Sequence, residues 1–75
     1  MPTLYRQANW KIAMYADDHG VPHFHVESPD GRCSVSIETM DVIIGSVPPR
    51  ILRAAMAWAS EHRDQLRRKW MELNQ

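Results

Sequence analysis

A single cysteine, Cys33, stands in this chain, so no internal disulfide can brace it. No apolar run approaches the roughly 20 residues that carry a helix across a bilayer, and no N-terminal stretch joins basic residues to an apolar core of roughly 7–15 residues. The expectation is a soluble, cytoplasmic protein with no membrane partner. Net charge is missing too, nine Lys and Arg being balanced by nine Asp and Glu. A protein built to coat a long nucleic acid would carry a positive excess to neutralise phosphates. Repeats, linkers and low-complexity segments are also absent. With 75 residues the chain makes one domain, and domains this short usually draw support from disulfides, a structural metal or a partner chain. Once the first is excluded, a metal or a partner remains, the partner being a cognate protein or a second copy of the chain.

The charge that is present is unevenly placed. Residues 1–45 carry three Lys and Arg against six acids, and residues 46–75 carry six against three, so a basic face is available toward the C-terminus. Residues 9–16 alternate, Trp10, Ile12 and Met14 against Lys11, Ala13 and Tyr15, as a half-buried strand does. After a turn, residues 23–27 alternate again, with Phe24 and Val26 on one face and His23, His25 and Glu27 on the other. Ser28-Pro29-Asp30-Gly31 has the composition of a tight turn, and residues 32–38 resume with Cys33, Val35 and Ile37 inward and Ser34 and Ser36 outward, giving a hairpin. A bend at residues 39–41 leads to the short apolar run Val42-Ile43-Ile44, a fourth strand closed by Gly45.

Ser46 is placed to cap a helix whose first turn holds Pro48 and Pro49. Ile51, Ala55, Trp58, His62, Leu66, Trp70 and Leu73 then recur at helical spacing in one apolar stripe. The expected fold is α+β: a small antiparallel sheet of three to four strands packed against a C-terminal helix or helix pair. The continuous stripe favours one helix over residues 48–73. Such a helix would measure about 39 Å at 1.5 Å per residue, against a diameter near 30 Å for a chain of this size, so residues 60–63 are where a break would fall. Leu66, Trp70 and Leu73 exceed what a small sheet can cover and are expected to meet a partner.

Several elements of this pattern occur together. They are Met1-Pro2-Thr3, Met14-Tyr15, Asp18-His19 followed by Pro22-His23-Phe24-His25-Val26, the helix entry Gly45-Ser46-Val47-Pro48, and Arg50, Leu52, Trp58, His62 and Trp70 beyond it. In these the chain resembles a family of small bacterial proteins known as domain-of-unknown-function family 4160, over nearly its whole length. It departs from the family at Val21, where a second proline is common, and at Met40, where glycine is common. The resemblance implies a gene beside that of a second small protein, the pair looking like a toxin–antitoxin module with this chain as the toxin. It suggests ribonuclease activity and a cognate antitoxin-like partner.

Residues 18–27 place Asp18, His19, His23, His25 and Glu27 close together, and three readings follow. In the first, one imidazole removes the 2′-hydroxyl proton of RNA while another protonates the leaving oxygen, as a side chain with a pKa near 6.5 can. Arg50, Arg53, Lys11 or Arg32 would steady the phosphate, with Arg50 preferred because it opens the helix and matches the family pattern, and Tyr15 would position a base or phosphate. No cofactor is then required. In the second, His23, His25 and Glu27 ligate a divalent metal. In the third, the imidazoles occupy a solvated strand face and the turn residues bond to backbone. Cys33 is expected as a small buried hydrophobe, His62 as a hydrogen-bonded residue at the core margin, and the basic run at residues 63–69 as a solvated helical face or a docking surface beside Trp70. A transcriptional regulator is disfavoured, since no helix-turn-helix pattern is evident.

Overall fold

The computed structural model describes residues 3–16 and 20–74. Five antiparallel strands form one sheet in sequence order: β1 (Thr3–Arg6), β2 (Lys11–Ala13), β3 (His23–Ser28), β4 (Gly31–Ser36) and β5 (Val42–Ser46). Two helices follow, α1 (Pro49–Glu61) and α2 (Arg63–Leu73). The architecture is α+β as expected, with one strand more. The addition is β1, whose four residues are too few to show a period and which is defined by its pairing with β2.

Strand alternation sets the layers. Ile12, Phe24, Val26, Cys33, Val35 and Ile37 are buried on one face of the sheet and share a core with Ile51, Ala55 and Ala59 of α1. The other face of β3 carries His23, His25 and Glu27, half-buried. Register follows from the tight turn between β3 and β4: Ser28 faces Gly31, so His25 faces Ser34 and Glu27 faces Arg32.

The bend after β4 closes through Met40, whose amide donates to the Ser36 carbonyl at 2.9 Å. Met40 sits at φ 63°, a left-handed conformation disfavoured for any side chain by about 1–2 kcal/mol, which explains why glycine suits that bend. Gly45 meets a stricter demand. Its φ is 85°, and a Cβ there would lie 2.3 Å from the Arg32 carbonyl oxygen on β4. Gly45→Ala is therefore expected to cost about 1–3 kcal/mol from backbone conformation alone, and more from the clash, read as a lowered urea midpoint.

The single helix that the stripe favours does not form. The chain breaks at His62 (φ −125°, ψ 27°), within the stretch marked as weakest. The longest Cα dimension of the molecule is 32 Å, shorter than the roughly 39 Å rod would need. The break satisfies its own polar groups. The His62 amide donates to the Ala59 carbonyl at 3.0 Å, and its Nδ1–H donates to the Trp58 carbonyl at 2.7 Å, which places His62 at the core margin as expected. Its ring also stacks on Trp58, which stacks in turn on Tyr5. Ser46, expected as the helix cap, is the last residue of β5, and Pro48 occupies the cap position without a side-chain bond.

Folding α2 back corrects a second expectation. Leu66 is 0% exposed and belongs to the core, while Trp70 and Leu73 are half-buried against it. The apolar end assigned to a partner is largely covered by the chain itself. Arg67 reaches Glu38 beyond β4 at 3.2 Å, holding the Glu38 carboxyl below its usual range through a hydrogen bond and charge attraction. This ties α2 to the end of the sheet where β3 begins.

Cys33 is buried, and burial pushes its thiol pKa up. The reactive thiolate is thus scarce in the folded state at mildly alkaline pH, and alkylation by iodoacetamide is expected to be slow until urea unfolds the chain. The sign is the same for stability. A raised folded pKa means that stability is lost as pH rises above the unfolded thiol's value.

Candidate functional site

β3 aims both histidines at one side of the sheet because residues two apart on a strand share a face. The His23 and His25 ring centroids lie 5.1 Å apart, at an interplanar angle of 75°. Each has a further aromatic neighbour: Tyr15 meets His25 edge-on at 5.0 Å, and Trp70 of α2 lies 5.0 Å from His23. Among the described residues this makes a row of four rings, Trp70, His23, His25 and Tyr15, assembled from a helix, a strand and the segment after β2.

Polar contacts hold Tyr15, His25 and His23 in place. The Tyr15 hydroxyl donates to Glu27 Oε2 at 2.6 Å, and Lys11, opposite Glu27 on β2, brings Nζ to 3.7 Å from Oε1. His25 Nδ1 lies 3.3 Å from the hydroxyl of Ser34. His23 Nδ1–H donates to the Val21 carbonyl at 2.8 Å, which fixes the orientation of its ring. Tyr15, His25, Glu27, Arg32, Ser34 and Ile44 line one open depression of about 430 Å³.

The candidate residues read from sequence divide accordingly. His23, His25, Glu27, Lys11 and Tyr15 come together, whereas Asp18 and His19 lie outside the described residues. Arg50 and Arg53 do not join them. Both are exposed on α1, and α1 packs against the opposite side of the sheet from the imidazoles. Starting a helix after β5 carries a side chain to the far layer, which the position of Arg50 in the sequence does not reveal. Arg32, one of the other cations considered, faces Glu27 across the hairpin and shares the depression with His25. Ser34 is a site residue that the sequence reading placed outward without a role. The two-residue turn at Pro29-Asp30 was the signal, since it sets His25 opposite Ser34. Trp70, expected at a partner surface, packs on His23 within the chain.

For the metal alternative, no group of three His, Cys, Asp or Glu side chains among the described residues converges on one point. Glu27 is engaged by Tyr15 and Lys11.

The family model for a domain of unknown function (DUF4160) matches residues 9–71. The chain belongs to that family. The match takes in β2 to β5, α1 and most of α2, and so every described residue of the ring row. Neither the curated proteins nor the solved structures contain a match. Membership of the DUF4160 family leaves the activity to be argued from the site. Among the described residues no helix is long and apolar enough to cross a membrane.

Proposed function

We propose that this protein is the toxin-like component of a bacterial toxin–antitoxin pair and cleaves RNA by metal-independent acid–base chemistry on the histidine face. One observation carries the reading: two imidazoles with centroids 5.1 Å apart, flanked by aromatic rings, beside a depression that holds Arg32. Cleavage next to a 2′-hydroxyl needs two proton transfers, and two adjacent imidazoles supply one each. His23, whose ring is oriented by the bond from Nδ1–H to the Val21 carbonyl, is assigned removal of the 2′-hydroxyl proton. The 2′-oxygen then bonds to phosphorus, the bond from phosphorus to the 5′-oxygen breaks, and protonated His25 gives its proton to that oxygen. The products are a 2′,3′-cyclic phosphate and a free 5′-hydroxyl. Arg32 and Lys11 supply positive charge to the phosphate as its oxygens gain negative charge, and Tyr15 and Trp70 offer ring surfaces to bases. A cognate antitoxin-like protein would act by covering this face.

The test is incubation of the purified protein with a single-stranded RNA in the presence of EDTA, with the termini of any products identified. Cyclic phosphate ends that form despite the chelator support the proposal. Intact RNA that nevertheless stays bound would move the assignment to a non-catalytic module. In cells, expression is expected to arrest growth, and co-expression of the neighbouring gene's product is expected to restore it.

A further inference from the structure

β5 is an outer strand of the sheet, bonded to β4 on one side, and all five of its residues are exposed. The opposite outer strand, β1, is half-buried, with Tyr5 stacked on Trp58. Edge strands are normally guarded by lysine, proline, an inward-pointing charge or a bulge. Val42-Ile43-Ile44-Gly45-Ser46 has no lysine, proline or charge, its one bulge leaves the apolar side chains uncovered, and Ile44 is 70% exposed.

The strand contains one irregularity. Val42 faces Val35 and Ile44 faces Ser34, which leaves Ile43 as an extra residue. Ile43 and Ile44 consequently line one depression with Val21, His23 and Ser34, of about 230 Å³. The ends of the strand differ in charge. Asp41 precedes it, and Arg32 stands across from Ser46 at its far end, both exposed. Parallel pairing of two such edges would set like charges together. Antiparallel pairing sets the Asp41 end of each against the partner's Arg32 end.

We infer that β5 is the pairing edge of a symmetric homodimer, in which two copies join antiparallel about a two-fold axis near Ile44. The isologous contact closes on itself and, among the described residues, leaves no further edge of this kind exposed. An axis normal to the sheet keeps both histidine rows on the same face. His25, Ser34 and Ile44 stand in one cross-strand row, so the two His25 positions lie about 24 Å apart, five strand spacings of about 4.8 Å. The partner's Ile44 meets Ile44 at the rim of the depression that holds His25, so each copy contributes part of the other's wall.

Pairing of a five-residue strand buries less than about 800 Å² per partner and belongs at the weak end of specific interfaces, so the dimer forms at high concentration. The test is light scattering on the full chain from about 10 µM to about 1 mM. The mass of the unaltered protein should rise from monomer toward dimer. Ile44→Lys should stay monomeric throughout with an unchanged circular dichroism spectrum. Asp41→Arg should weaken association about tenfold, and adding Arg32→Asp to it should restore association. A monomer at every concentration overturns the inference. So does an Ile44→Lys variant that still dimerises, or a charge-swapped pair no stronger than Asp41→Arg alone. The measurement reads mass, so its outcome is independent of whether RNA is cleaved.

Discussion

Leu66→Ala is expected to remove a large part of the protein's stability, although sequence alone assigns Leu66 to a partner. Its side chain is fully buried in the core that α1 shares with the sheet. Truncating a buried leucine costs about 2–5 kcal/mol, from lost transfer free energy and the cavity left behind. A domain of this length has a total stability of only about 4–11 kcal/mol. The variant should therefore unfold at much lower urea, with the melting temperature falling by about 4–8 °C for each kcal/mol. Met71, on the same helix and 67% exposed, is the internal control, and Met71→Ala should lie within about 0.5 kcal/mol of the parent. Unchanged unfolding of Leu66→Ala, together with loss of a bound partner, would return Leu66 to an interface.

For the proposed chemistry, His25→Ala should lower RNA cleavage by about 10²–10⁴, the usual contribution of a positioned acid or base. The fold should survive. His25 is half-buried on the face away from the core, and the contacts it makes there include the rings of His23 and Tyr15 and a long bond to Ser34, none of them part of the core. His23→Ala should behave similarly. The cations separate the site seen in the structure from the one read in sequence. Arg32→Ala should cost about 10²-fold in rate through the phosphate, while Arg50→Ala, on the far layer, should leave cleavage unaltered. Full cleavage by both histidine variants would refute the mechanism. A rate loss confined to Arg50→Ala would refute the arrangement of cations.

Much of this molecule was legible before folding, and the particular residues show why. Phe24 and Val26 against His23, His25 and Glu27 is a period-two pattern that needs only a strand to be correct, and it was. Ser28-Pro29-Asp30-Gly31 is local turn chemistry, and it placed β3 beside β4. Cys33 at the inward position and His62 at the core margin followed from the same periodicities. Four residues of β1 held too little pattern to be read as a strand, because its evidence is a pairing and not a period.

The sequence by itself determined what neighbouring residues decide among themselves: strand faces, the hairpin, the apolar stripe and the α+β class. Tertiary structure decided whatever depends on where the chain goes after it turns. The break at His62 swings Leu66 into the core and Trp70 onto His23, and the crossing from β5 to α1 carries Arg50 behind the sheet and leaves Arg32 beside His25. Periodicity extends over a few residues, whereas these contacts join positions tens of residues apart whose distance is set by packing a rigid helix within a 32 Å body.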